Sequence, residues 1–165
     1  MDIKYCYICG SELEKKSDAL FICKKSAHHI YTNAKPCNGV IIENKKGEIL
    51  LVKRKFPPKQ GSWDLPGGFI NPAESLEQSV VREIKEELEV ELKREIYVKS
   101  YSDRYLFEGI NYHTICVIFT GEIGEQIPKA ADDALELKFF PKDKIPYSEI
   151  GFDGIKLALK DYLRI

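Results

Sequence analysis

One short segment with clustered acidic residues constrains this chain more than any other feature of its sequence. Glu83, Glu86 and Glu87 stand at i, i+3 and i+4, beside Arg82. On a helix these carboxylates are surface neighbours, where like charges cost about 0.2–0.5 kcal/mol for each pair. All the candidate ligands offer oxygen atoms, which favours Mg²⁺ or Mn²⁺ over zinc. The cluster therefore predicts a divalent-cation site and a phosphate ester or anhydride as substrate.

The helix that carries this cluster is marked at its start and along its buried face. Ser75 and Gln78 have the spacing of a capping box. An apolar residue recurs at every fourth position, at Leu76, Val80, Ile84 and Leu88. This period is typical of an amphipathic helix packed on a core.

The residues before the helix predict a turn that approaches the cation. Residues 63–68 (WDLPGG) are typical of a short strand that enters a glycine turn. We expect the Gly68 carbonyl oxygen to be a further cation ligand. Glu74 is expected to accept hydrogen bonds from the Arg82 guanidinium, which would tie the loop to the helix.

This segment resembles the Nudix box of the Nudix hydrolases. The matching positions are Gly68, Glu74 and residues 82–87 (REIKEE). Glu89 stands where the family has a glycine, which predicts a different helix end, or a cost of about 1–2 kcal/mol on the same backbone. A solvated acidic helix face is the alternative interpretation, but it does not explain the glycine turn and the arginine spacing together.

The resemblance implies an α/β fold, a Nudix α/β/α sandwich with a mixed sheet, and metal-dependent cleavage of a pyrophosphate bond. Arg82, Glu83, Glu86 and Glu87 would form the catalytic group. Glu86 and Glu87 are the main expected metal ligands, and Glu83 either binds metal or acts as general base. Glu136 matches a position where the family has another acidic residue, and surface charge is its alternative role.

Two residues outside the box are candidates for substrate binding. Arg54 follows an apolar run at 49–52, and arginine suits phosphate oxygens. Tyr105 belongs to an aromatic stretch with Tyr101 and Phe107, which either stacks on a base or fills the sheet. The implied substrates are a dinucleotide or a nucleotide sugar, such as NADH, ADP-ribose or FAD. A Nudix module that senses nucleotides without turnover is the alternative, and the carboxylate cluster favours catalysis.

The N-terminal segment contains part of a zinc-ribbon pattern. A full ribbon would have a fourth cysteine at position 26, where Ser26 stands instead. The candidate zinc ligands are Cys6, Cys9 and Cys23, with His28 or His29 completing a Cys₃His site. A degenerate knuckle without metal is the alternative. Zinc here would be structural, because so short a segment cannot bury a core of its own.

The chain is therefore expected to contain a zinc-ribbon-like domain at 1–34 and a Nudix domain at 35–165. Residues 31–36 (YTNAKP) follow the ribbon, an arrangement similar to NADH pyrophosphatases and related ADP-ribose or FAD pyrophosphatases. The Ser-Gln-Pro-Trp signature of the NADH enzymes is absent, since residues 100–105 read SYSDRY.

Composition excludes several other classes of protein. The 165 residues with 44% hydrophobic content support one sizeable core. A net charge of −1 does not favour a nucleic-acid partner. The resemblance implies a small nucleotide as partner, and its alternative is a nucleotide-end substrate, since some Nudix enzymes act on capped RNA. No apolar run reaches the roughly 18 residues of a membrane span, and no signal peptide is evident, which predicts a cytoplasmic protein with no membrane partner. Similar proteins are often homodimers.

Alternating and periodic patterns predict the remaining elements. Strands are expected at 37–43, 48–54, 92–101, 104–107, 112–121 and 135–140, with a turn at 108–111. Asp153 is expected to cap a final helix.

Overall fold

The computed structural model describes residues 3–165, which divide into two compact units. Residues 3–35 and Arg104–His113 form what we call the small unit. Pro36–Asp103 and Thr114–Ile165 form the large unit. No helix in the described part of the chain is long and apolar enough to cross a bilayer.

The small unit is built on a three-stranded antiparallel sheet. Its strands are β1 (Leu13–Lys15), β2 (Leu20–Cys23) and β3 (His29–Tyr31), in that order. Beneath them a few side chains form a small core of their own: Cys6, Phe21, Cys23 and Ile30. Two of these four core residues are cysteines, so the small unit has little apolar surface to bury.

The remaining six strands form two three-stranded sheets. The first has the order β4 (Lys35–Ile42), β8 (Ile110–Glu122), β7 (Lys93–Phe107), and the second has the order β6 (Trp63–Asp64), β5 (Ile49–Arg54), β9 (Ala134–Phe140). Strand β5 pairs antiparallel with both of its neighbours. A parallel bridge between Trp63 and Ile150 makes the pairing mixed.

Two helices cover opposite faces of these sheets. Adjacent residues of β4 and β5 belong to two different core clusters, as the alternation of a strand requires. Helix α1 (Leu76–Leu88) packs with one set, which includes Val40, Ile42, Leu50 and Val52. Helix α2 (Asp153–Leu163) packs with the other, which includes Ile41, Ile49 and Leu51. The expected α/β/α sandwich is confirmed.

The β7–β8 hairpin differs from the prediction. Residues 92–101 and 104–107 were expected as separate strands, but β7 is continuous from Lys93 to Phe107. The turn has only two residues, Glu108 and Gly109, with φ of 48° and 76°. Two residues of positive φ match the twist of the flanking strands, so the hairpin needs no longer loop.

The start of α2 also differs from the prediction. Phe152 is the N-cap, Asp153 is already helical, and the cap makes no side-chain hydrogen bond. The Gly154 N–H instead donates to Asp103 Oδ2 of β7 at 2.8 Å. The acidic partner of the helix start therefore comes from a distant strand, and Asp153 pairs with Lys156 at 3.0 Å.

Candidate active site

The glycine turn before α1 lies directly against the acidic cluster. A Cβ on Gly68 would be 2.6 Å from Glu83 Oε1. Gly67 has φ of 141°, and a Cβ there would be 2.5 Å from the Asn38 carbonyl oxygen. The Gly67 N–H donates to Glu87 Oε2 at 2.9 Å, and the Gly68 carbonyl accepts from Asn38 N–H at 2.9 Å. Only glycine allows this approach of backbone to carboxylates.

Both ends of α1 are stabilised by hydrogen bonds, the first end by the predicted capping box. Ser75 and Gln78 form the capping box, with hydrogen bonds in both directions. At the other end Glu89 adopts the left-handed conformation, with φ of 55°. Of the two expected outcomes, the backbone of the family's glycine is therefore the one retained, which carries the expected cost of about 1–2 kcal/mol for a residue with a side chain. The backbone N–H groups of Lys129 and Ala131 donate to the carbonyls of Leu88 and Glu87, at 2.9 and 3.0 Å. These bonds satisfy carbonyls that a helix end otherwise leaves unpaired.

Arg82 is the centre of a charged network that joins loop and helix. Its Nε and Nη2 donate to the two oxygens of Glu74 at 2.7 and 2.9 Å, as a fork. Its Nη1 donates to Glu83 Oε1 and Glu86 Oε2, both at 2.8 Å. The hydrogen bond from Arg82 lowers the pKa of Glu74 to about 2. Such charge-assisted bonds are short and strong, so the loop is held to the helix.

Glu87 is the buried member of the cluster, with 6% of its surface exposed. Burial raises the pKa of Glu87 to about 8, the Gly67 N–H opposes this shift, and Asp64, Glu83 and Asp133 add to it. Burial also raises the pKa of Glu83. Carboxylates crowded together away from water favour a cation among them. The oxygen donors fit Mg²⁺ or Mn²⁺, and Glu83, Glu86, Glu87 and the second lone pair of the Gly68 carbonyl could hold it.

Comparison with known proteins decides the family. Residues 35–157 match the model of the NUDIX domain. The chain belongs to the Nudix hydrolase family. Enzymes of this family generally use Mg²⁺ or Mn²⁺, in agreement with the oxygen donors of the box.

Two curated relatives of this Nudix hydrolase show how far the likeness extends. It is 41% identical over 126 residues to the ADP-ribose pyrophosphatase of Methanocaldococcus jannaschii, covering 75% of this chain and 70% of that protein. It is 26% identical over 145 residues to the NAD-capped RNA hydrolase NudC of Pectobacterium carotovorum. That match covers 87% of this chain but 53% of the relative, so the chain spans about half of NudC.

A solved structure supports the same fold. The crystal structure of a NUDIX hydrolase from Nitrosomonas europaea superposes with a TM-score of 0.74 at 29% identity. The superposition covers 98% of this chain and 91% of that one.

Two acidic residues near the Nudix box were not anticipated from the sequence. Asp64, on β6, is buried, and burial raises its pKa to about 6. Asp133 precedes β9, and both charges act on Glu87. Asp64 had a readable signal, because it is a charge between the apolar residues Trp63 and Leu65 in a short strand. The sequence contains no such signal for Asp133, because its neighbours in the chain include another acidic residue, Asp132.

The structure places Glu136 and Arg54 in other contacts. Glu136, on β9, pairs with Lys53 of β5 at 3.2 Å and is half-exposed. Arg54 Nη1 donates to Asp64 Oδ2 at 3.1 Å, and its Nε donates to the Pro58 carbonyl at 2.9 Å. The Arg54 guanidinium is thus already used within the protein, and its predicted phosphate contact would have to share these donors.

The candidate zinc ligands lie in the small unit. The sulfur atoms of Cys6, Cys9 and Cys23 are within 4.8 Å of one another. Ser26 Oγ is 3.8 Å from Cys9 Sγ, and it is hydrogen-bonded to His28 Nδ1 at 2.9 Å. The three thiols could hold a zinc ion, with Ser26 at their side and His28 one hydrogen bond further away.

Tyr105 and Tyr101 have different surroundings. Tyr105 belongs to the small unit, where its ring stacks on Tyr112 at 5.4 Å between centroids. Tyr101 is buried in the large unit, and its hydroxyl donates to Asp161 at 2.8 Å. Tyr101 is therefore a packing residue, whereas a substrate contact of Tyr105 stays a prediction.

Proposed function

We propose that this Nudix hydrolase cleaves the pyrophosphate bond of ADP-ribose or of a similar nucleoside diphosphate linked to another group, with Mg²⁺ or Mn²⁺. The observation that carries the proposal is the buried Glu87 carboxylate, crowded by other acids and held against the glycine turn. Such a group is costly to keep in a protein that does not bind a cation. The relative at 41% identity is named for the same reaction class.

Different side chains of the box are proposed to have different roles in the reaction. Glu83, Glu86 and Glu87 would hold the metal together with the Gly68 carbonyl. A bound divalent cation neutralises pyrophosphate charge and makes a water nucleophilic at neutral pH. Arg82 orients Glu83 and Glu86 from one guanidinium nitrogen, and Glu74 fixes Arg82 in turn. Glu83 remains the candidate general base, with metal binding as its other possible role.

The test is a panel of ADP-ribose, NADH and FAD incubated with Mg²⁺, with products separated by anion-exchange chromatography. ADP-ribose should give AMP and ribose 5-phosphate, two phosphomonoesters. Glu86→Gln and Glu87→Gln should reduce turnover by roughly 100-fold or more, as expected for groups that stabilise transition-state charge. Glu95→Gln is the matched control, because Glu95 is exposed on β7 outside the box. Equal rates for wild type and Glu86→Gln on every substrate would refute the proposal.

The small unit is proposed to hold a structural zinc ion. Cys6, Cys9 and Cys23 supply three thiolates, and His28 or His29 supplies the fourth ligand. This proposal supports the division into a zinc-ribbon-like domain at 1–34 and a Nudix domain at 35–165. Metal analysis of protein purified without chelator tests it, with one zinc per chain as the expected result.

A further inference from the structure

The small unit contains a cavity of about 230 Å³ that the proposed hydrolysis does not use. Its walls come from the N-terminal segment, from residues 30–35 and from the turn end of the β7–β8 hairpin. We propose that this cavity binds one nucleotide, with its base against the tyrosines and its phosphate at Lys35.

Three tyrosines provide surfaces on which a base can stack. Tyr7 and Tyr31 are 81% and 62% exposed, so most of each ring faces water. Tyr112 is stacked on Tyr105 with an angle of 19° between the rings, which fixes the orientation of the Tyr112 ring. An aromatic ring with an open face can stack on a base, whichever base it is.

The polar lining matches the rest of a nucleotide. Asn33 and Asn111 each offer an amide with donors and an acceptor, which suits the edge of a base. Lys35 also lines the cavity, and none of the described lining residues is acidic. Lys35 has no ion pair among the described residues, whereas three other lysines of the small unit pair with carboxylates. Its ammonium is therefore available for a phosphate.

The size of the cavity limits the ligand. Pockets for drug-sized ligands measure about 300–1,000 Å³, so this one is too small for a complete dinucleotide. A free mononucleotide and the 5′-terminal nucleotide of a strand share the chemistry that fits.

The experiment uses the full chain carrying Glu86→Gln, without added Mg²⁺, so that hydrolysis does not contribute. Backbone amide NMR shifts of residues 31–35 and 111–113 are followed during titration with AMP. Ribose 5-phosphate, which lacks the base, is the comparison ligand. AMP should shift these amide signals and bind at least about tenfold more tightly than ribose 5-phosphate, because ribose 5-phosphate has no base to stack on the tyrosines.

Matched variants then test the assigned residues. Tyr31→Ala and Tyr7→Ala should each weaken AMP binding about tenfold. Tyr5→Ala is the control, because Tyr5 is 64% exposed in the same unit but does not line the cavity. Lys35→Ala should weaken binding of AMP more than of adenosine, and exposed Lys25→Ala should not. The dispersion of each spectrum reports whether the variant folds.

Two results would overturn the proposal. Equal binding of AMP and ribose 5-phosphate would show that the site does not recognise the base. Equal losses of AMP affinity in Tyr5→Ala and Tyr31→Ala would show that the cavity tyrosines do not bind it. A 5′-phosphorylated tetranucleotide RNA separates the two supporting results: tighter binding than AMP assigns a strand end, and equal binding assigns a free nucleotide. Failure here leaves the hydrolysis assay unaffected, since the readout is confined to the small unit.

Discussion

The backbone N–H of Gly67 and the side chain of Glu87 are joined by a hydrogen bond of 2.9 Å. This hydrogen bond opposes the effects of burial and of neighbouring acids on the Glu87 pKa. It places the carboxylate at the glycine turn, beside the carbonyl that is proposed to share a cation with it. The turn and α1 would therefore act together in the proposed cation site.

Because Gly68 lies against the Glu83 carboxylate, replacing this glycine by alanine is expected to lower kcat strongly. In Gly68→Ala the new Cβ would lie 2.6 Å from Glu83 Oε1, so Glu83 must move. A displacement of about 1 Å in a reacting group can cost about 100-fold in rate. We expect kcat for ADP-ribose to fall by about this factor while the fold is retained. Gly47→Ala is the control: its φ of 74° strains the backbone, but its Cβ would meet nothing within 4 Å and is outside the box. An equal loss of kcat there would contradict the explanation.

The raised pKa of Glu87 predicts that the metal-free protein becomes less stable as pH rises. The pKa of Glu87 is about 8 in the folded protein, against an ordinary value of about 4.5 for an exposed glutamate. Between these pH values the folded state binds more protons than the unfolded state. The stabilisation that Glu87 contributes to the free energy of unfolding is therefore complete below pH 4.5 and is lost as the pH rises to 8. The slope is at most about 1.4 kcal/mol per pH unit for one proton.

Urea denaturation of the metal-free protein from pH 5 to 8.5 measures this slope. Glu87→Gln should flatten it, because glutamine does not titrate. Asp64, whose pKa is raised to about 6, contributes in the same direction at lower pH. An identical slope in wild type and Glu87→Gln would show that Glu87 is ionised throughout.

The Arg82 network predicts that lysine cannot replace arginine. Arg82 makes the fork to Glu74 and contacts Glu83 and Glu86 at the same time, which a single ammonium cannot reproduce. Arg82→Lys should lose about 1–3 kcal/mol of unfolding free energy and most of the activity. Arg94→Lys is the control, because Arg94 forms an exposed pair with Glu122 at 3.3 Å. Comparable melting temperatures for the two variants would be inconsistent with this role.

The cysteine cluster predicts zinc-dependent folding of the small unit. Cys9→Ser should release zinc and lower the circular dichroism melting temperature, because metal affinity and folding are coupled. Cys37→Ser is the control, since Cys37 is only partly buried and belongs to the large unit. His28→Ala and His29→Ala compared by mass spectrometry for zinc identify the fourth ligand. Full zinc content in Cys9→Ser would exclude the site.

The capping of α2 by a distant carboxylate predicts a stability effect without an effect on chemistry. Asp103→Ala removes the acceptor of the Gly154 N–H and should cost about 1 kcal/mol, the usual value of a helix cap. Asp143→Ala, at an exposed position, should change the unfolding free energy by less. Equal changes in the two variants would argue against the cap.

Features of α1 were readable from the sequence because their causes are local. The capping box, the apolar period and the spacing of Glu83, Glu86 and Glu87 all lie within a few turns of one helix. The Glu74 to Arg82 contact was also accessible, since the two residues are eight positions apart.

Contacts between distant segments were not readable. Asp64 and Asp133 act on Glu87 only after β6 and the residues before β9 have come next to α1. The sequence left open which of two helix ends Glu89 would adopt for the same reason, because the donors that close the helix come from Lys129 and Ala131. The single strand β7 was split in the prediction because its polar residues interrupt the apolar pattern.

The bonds from Lys129 and Ala131 to the last turn of α1 set a limit on protein engineering. The exposed connection between β8 and β9 resembles a flexible linker. Its second half, however, supplies the backbone donors that pair with the last carbonyls of α1. Fluorescent tags, affinity peptides or length changes will be tolerated at the Gly124 turn, where a Cβ would meet nothing within 4 Å. The same insertions between Lys129 and Ala131 will loosen the helix and impair turnover.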